Sequence, residues 1–177
     1  MIAILLNDAS FEQDIRELLM AFYPGETFTH KEEEAGEAEL IVRGVRDGNS
    51  FSLDVTPVKK EAVHFALIYP DFSNRFETKN EIKQTLYRLL SAQTGRELPW
   101  GTLTGIRPTK IALTKLYDGW TDEQIETYMR ETYFTSKEKI DLSIDVAERE
   151  RRLLSTIDYE NGYSLYVGIP FCPTTCL

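Results

Sequence analysis

Apolar side chains recur at every second position in much of the chain up to about residue 58, and at every third or fourth position after Pro70. A period of two lines one face of a strand, and a period near 3.6 lines one face of a helix. The switch predicts strands in the first part and helices in the second. An alternating βαβα order, and with it a large parallel sheet, is not what this pattern describes.

The first part reads β-α-β-β-β. Ile2–Leu6 is a strand candidate. Asp8 or Ser10 can cap a helix through Phe22 that places Phe11, Ile15, Leu18, Leu19 and Phe22 on one face, and Pro24-Gly25 ends it. Glu26–His30 reads as a short strand. The glutamate-rich run 31–39 reads as a solvated loop rather than a cation or partner site. Leu40, Val42 and Val45, then Phe51, Leu53 and Val55, form the arms of a hairpin around Asp47-Gly48-Asn49. Glu61–Tyr69 has two readings: Val63, Phe65, Leu67 and Tyr69 alternate as in a strand, while Ala62, Phe65, Ala66 and Tyr69 share a helical face.

The second part is helical. Glu77–Thr94 carries Ile82, Leu86, Leu89 and Leu90 on one face and stops at Gly95. Residues 99–107 form a loop, and Pro108 opens a helix to Tyr117. Thr121-Asp-Glu-Gln124 is a capping box for a helix to Tyr133. Thr135 or Ser136 starts a helix to about Ser155, with Ile140, Ile144, Ala147 and Leu154 on its apolar side and arginines near its end. After a turn at Asp158–Gly162, Tyr163–Ile169 reads as a strand that needs a partner. The expected fold class is α+β: a small mixed or antiparallel sheet with one or two helices in residues 1–70, a helical segment packed on it in 71–160, and a separate start in 161–177.

The 177 residues suffice for a core that removes roughly 70% of the unfolded surface from water. A net charge of −9 argues against nucleic acid and anionic membranes as partners. No apolar run is long enough to span a bilayer, and the first residues lack a basic signal-peptide start, so the cytoplasm is the expected location.

Chemistry concentrates at the other end. Cys172 and Cys176 are the only cysteines, spaced C-x3-C in a stretch carrying Pro170 and Pro173. Thiolates on a loop that prolines keep from regular structure suit metal ligation, while redox chemistry and chance remain as alternatives. Two thiolates alone leave a three- or four-ligand site incomplete. Zinc ligation by these cysteines with His30 and His64 is not expected, and neither histidine has triad partners at motif spacing. Arg107 and Lys110 flank a helix start that would suit a carboxylate or phosphate. The plainer expectation is a tight turn with Arg107 in an ion pair, and Trp100 in the core or against a further domain.

The segment LYVGIPFCPTTCL resembles the cluster-binding motif of radical S-adenosylmethionine enzymes, in the oxygen-independent coproporphyrinogen III dehydrogenase (oxidase) family. PWGTLTGIRPTKI is similar to a segment upstream of that motif in the family's HemZ-type branch, which also has glycine, here Gly168, where others have histidine. The resemblance implies that Cys172 and Cys176 match the first two ligands of a [4Fe-4S] cluster and that Tyr166 matches a tyrosine touching S-adenosyl-L-methionine. It further implies a third cysteine at position 179 and a barrel beyond it, with Tyr163–Ile169 as that barrel's first strand. The chain is then expected to be an N-terminal piece ending inside the motif, without a stably bound cluster and without turnover of its own. The implied parent reaction is oxidative decarboxylation of two propionates to vinyls in haem biosynthesis. Implied partners are the chain's own missing barrel, a porphyrinogen and an electron donor. The competing readings are a non-catalytic protein- or RNA-binding module and a radical enzyme with a diverged haem or porphyrin role.

Overall fold

The computed structural model describes residues 1–58, 63–158, 161–163 and 165–168. The fold is α+β. Five strands form one mixed sheet: β1 (Ile2–Leu6), β2 (Phe28–Thr29), β3 (Leu40–Asp47), β4 (Ser50–Pro57) and β5 (His64–Ile68), in the order β2-β1-β3-β4-β5. β1 runs parallel to β2 and β3, and β3, β4 and β5 form an antiparallel meander. The helices are α1 (Glu12–Phe22), α2 (Arg75–Thr94), α3 (Thr109–Tyr117), α4 (Asp122–Tyr133) and α5 (Lys137–Leu154).

The caps at Asp8, Thr121 and Ser136 act where the sequence places them, and Asn74 starts α2 at Arg75, two residues before the expected Glu77. Asp8 accepts from the Ser10 N–H and starts a 3₁₀ turn, Ala9–Phe11, that leads into α1. Asn74 caps α2, whose end is turned by Gly95 at φ 67°. Thr121 and Gln124 make both bonds of the capping box on α4, and Ser136 caps α5. Each satisfies a helix-end donor that packing alone would leave bare.

One face of the sheet carries the main core. Ile2, Ile4, Leu40, Val42, Phe51, Leu53 and Val55 pack against Phe11, Ile15, Leu18, Leu19 and Phe22 of the first helical stretch and against Ile82, Leu86 and Leu90 of α2. A second core, built from Ala112, Leu116, Ile125, Met129, Ile140, Ile144 and Ala147, joins α3, α4 and α5. Thus α2 completes the sheet layer, and the last three helices close on themselves.

Three expectations need correction. The inward position after Val42 belongs to Gly44, where a Cβ would press on Leu6 and Phe51, so Val45 turns outward. The glutamate-rich run is folded: Glu32–Glu37 is a 3₁₀ turn whose Ala35, with Ala38 behind it, packs on Ala3 and Leu5 across the opposite face of the sheet. Two of its acids are paired, Glu32 with Arg43 and Glu34 with Thr29 and Lys31, while Glu33 and Glu37 stay exposed as expected of a solvated run. The strand expected at Glu26–His30 shrinks to Phe28–Thr29. Of the two partners open to Tyr163–Ile169, the N-terminal sheet is not used by its described residues: 163 and 165–168 carry no strand, and the sheet's edges are β2 and β5. The two readings of Glu61–Tyr69 resolve to the strand β5, since pairing with β4 satisfies its backbone.

Candidate functional site

Tyr166, the described member of the expected cofactor set, is 92% exposed. A Cβ added at Gly168 would stand 3.1 Å from its ring, so the glycine leaves room for the tyrosine to fold back over the backbone. Cys172 and Cys176 lie outside the described residues. Among the described residues no group of three or more His, Cys, Asp or Glu side chains is arranged to hold a metal ion. The sequence supplies two cysteines, and two thiolates fit a [4Fe-4S] cluster only in part.

The histidines stand apart. His30 follows β2 at one edge of the sheet, with Nδ1 3.2 Å from the Ile4 carbonyl oxygen and Nε2 3.4 Å from Glu12 Oε1. His64 begins β5 at the opposite edge. They share no site.

The 99–113 segment is held from three sides. Gly101, at φ 56°, lets the chain touch the end of α4: the Thr102 N–H donates to the Tyr133 carbonyl at 2.8 Å, and the Ser136 N–H donates to the Pro99 carbonyl at 2.9 Å. Phe134 turns α4 into α5 at φ 57°, a left-handed conformation that a bulky side chain adopts only when its surroundings enforce it. On the other flank the Lys83 ammonium donates to Thr104 Oγ1 at 2.9 Å, and that hydroxyl donates to Glu17 Oε2 at 2.7 Å. Lys83 is 5% exposed, and burial lowers its pKa despite the nearby Asp14 and Glu17. Burial pushes the Glu17 carboxyl up, but hydrogen bonds from Thr104 and Gln13 and the charges of Lys83 and Lys79 outweigh it and hold it below the usual range. This lysine–threonine–glutamate relay clamps the loop to α1 and α2, and its members lie too far apart in sequence for any spacing rule to reveal it.

Beyond Thr104 the loop opens to solvent. Ile106 is fully exposed, and Arg107 pairs with Glu150 of α5 at 3.1 Å. The plainer expectation for Arg107 therefore holds. Trp100 is half-buried and lines a groove together with Leu103, Pro108 and Glu17.

A cleft of about 710 Å³ lies between the two cores, lined among others by Tyr87, Arg88, Leu98, Arg130 and Phe134. The Arg88 guanidinium sits 4.8 Å from the centre of the Phe134 ring. Glu97 and Glu138 line the same cleft, so it presents both signs of charge beside aromatic rings.

The chain is 35% identical over 125 residues to the oxygen-independent coproporphyrinogen-III oxidase-like protein HemZ of Bacillus subtilis, a match that takes in 68% of this chain and 25% of that protein. The resemblance expected from the two motifs is thus shown, and the chain spans about a quarter of the length of the curated relative it matches. No protein-family model matches the chain. No solved structure matches it.

Proposed function

We propose that this chain serves an oxygen-independent coproporphyrinogen-III oxidase-like enzyme of the radical S-adenosylmethionine type, as the region that precedes and begins its cluster-binding loop. The observation that carries this reading is the 35% identity to HemZ over 125 residues, and the C-x3-C spacing after Ile-Pro-Phe supports it. A four-iron cluster, when bound, supplies the electron that cleaves S-adenosylmethionine. In this reading Cys172 and Cys176 contribute two thiolates to that cluster, and a further thiolate comes from outside these 177 residues. Tyr166 lies six positions before the first cysteine and packs on the cofactor once covered. With its two cores and the clamp at Thr104, the described part acts as an accessory scaffold that holds the end of α5, and so the start of the loop, in a fixed place. The compartment is the cytoplasm, and the partners are a porphyrinogen and an electron donor.

The coding sequence beyond residue 177 gives the first test: Tyr-Cys at positions 178–179, followed by a few hundred residues of alternating strands and helices, is the expected result. A stop codon there sinks the reading. The second test is chemical. The full-length protein, reduced without oxygen and supplied with S-adenosylmethionine, is expected to release CO2 from coproporphyrinogen. An intact cluster that cleaves S-adenosylmethionine but releases no CO2 keeps the radical chemistry and removes the substrate.

A further inference from the structure

The cleft between the two cores carries opposite charges towards its two ends. One wall is α2 with the segment that follows it, and the other is the corner where α4 turns into α5. Three contacts set these walls side by side in the same sense. Gln84 Nε2 donates to the Thr132 carbonyl at 2.8 Å, the Arg88 guanidinium sits 4.8 Å from the centre of the Phe134 ring, and the Ser136 N–H donates to the Pro99 carbonyl at 2.9 Å. Along each wall a cation therefore comes before an anion: Arg88 before Glu97, and Arg130 before Glu138. From Arg88 to the end of α2 at Thr94 the helix rises about 9 Å. Tyr87, Leu98 and Phe134 supply apolar surface in the same cleft.

Two observations point to a ligand there. Ser91 lines the cleft one turn after Arg88, and its hydroxyl oxygen is buried with no hydrogen-bond partner in the protein. A buried hydroxyl of this kind calls for a polar group from elsewhere. Phe134 is the one residue other than glycine held at positive φ among the described residues, and strained backbone of this kind gathers at binding sites.

We propose that the cleft binds a free short peptide of about three residues, which spans roughly 10 Å when extended. Its carboxylate lies on Arg88 and Arg130, and its ammonium lies on Glu97 and Glu138. An apolar middle side chain rests on Phe134 and Leu98, and a peptide amide serves Ser91. The cleft, at about 710 Å³, has room for such a ligand. A peptide whose charges cancel also approaches a chain of net charge −9 without repulsion, which an anion does not. Among the described residues Arg88 and Glu97 form no ion pair, so each is open to a ligand's charge. Arg130 pairs with Glu126, and Glu138 with Lys139, but both contacts are exposed and exchange at little cost.

Titration calorimetry of the 177-residue chain with the tripeptide Ala-Phe-Ala tests this. The expected result is saturable binding with a dissociation constant of about 0.1–1 mM. Acetylating the amine and amidating the carboxylate are each expected to weaken it about tenfold, and Gly-Gly-Gly is expected to bind more weakly than Ala-Phe-Ala. Arg88→Gln is expected to erase the preference for a free carboxylate and to keep the preference for a free amine, and Glu97→Gln to do the reverse. Arg88→Lys keeps the charge and is expected to keep both preferences. Both positions are exposed, so thermal unfolding of these variants is expected to match the parent. No saturable binding up to about 10 mM overturns the proposal. So does equal affinity for Ala-Phe-Ala capped at both ends, or a pair of preferences that neither Arg88→Gln nor Glu97→Gln alters.

Discussion

A Cβ on Gly101 would overlap the carbonyl oxygen of Tyr133, the same oxygen that accepts from the Thr102 N–H. The sheet layer and the helical core meet at this contact, because Tyr133 ends α4 and residue 101 follows the segment leaving α2. Gly101→Ala also forces a side chain into a left-handed conformation. It is expected to cost at least about 2 kcal/mol, read as a lower midpoint in denaturant with the slope unchanged. Stability equal to the parent would mean that the two layers do not dock here.

Lys83 makes stability depend on alkaline pH. Its folded pKa lies below its unfolded value, so between the two the unfolded chain binds more protons. Stability is therefore expected to rise as pH climbs from the folded pKa towards the unfolded value near 10.4, until other groups titrate. Lys83→Met keeps the stem and removes the ammonium, and it is expected to flatten that slope. A pH profile unchanged by Lys83→Met would show that the amine is not buried as charge.

Glu17 acts at the other end of the scale. Its folded pKa lies below the unfolded value, so its contribution is present above the unfolded carboxylate pKa and is lost as pH falls through the folded one. Glu17→Gln is expected to remove part of the acid-side loss of stability and to loosen the 99–105 loop, read as faster amide exchange at Leu103 and Thr104. Exchange there that matches the parent would separate Glu17 from the clamp.

Thr121 makes both halves of its capping box, accepting from the Gln124 N–H while its own N–H donates to the Gln124 side chain. Thr121→Ala is expected to cost about 1 kcal/mol. Arg107→Gln serves as the contrast. Its ion pair with Glu150 is exposed, so the midpoint is expected to stay put.

Much of the fold could be read locally. β1, the hairpin arms and the caps at Asp8, Thr121 and Ser136 depend on residues a few positions apart, and period and cap chemistry report such neighbours directly. What escaped depends on distant partners. β5 satisfied two periods at once, and only β4 decided between them. The glutamate run looked solvated because its acids dominate the composition, yet Ala35 and Ala38 were its buried residues. The Lys83–Thr104–Glu17 relay joins three elements, and no spacing encodes it. At the expected cofactor site, the roles of Tyr166, Cys172 and Cys176 rest on the resemblance to the radical S-adenosylmethionine motif. The structure adds an exposed Tyr166 with Gly168 beneath its ring, while the cysteines fall outside the described residues.

The iron and acid-labile sulfide bound after anaerobic reconstitution tests the central claim most directly, measured on the 177-residue chain and on the same polypeptide lengthened through the next cysteine. The account predicts that the short chain loses its iron on gel filtration. The longer one should keep about four irons per chain, as a three-thiolate site requires, with an absorbance band that Cys172→Ala and Cys176→Ala each abolish. A four-iron cluster held stably by the 177-residue chain alone, or a lengthened chain that keeps its cluster after both cysteines are replaced, would contradict it.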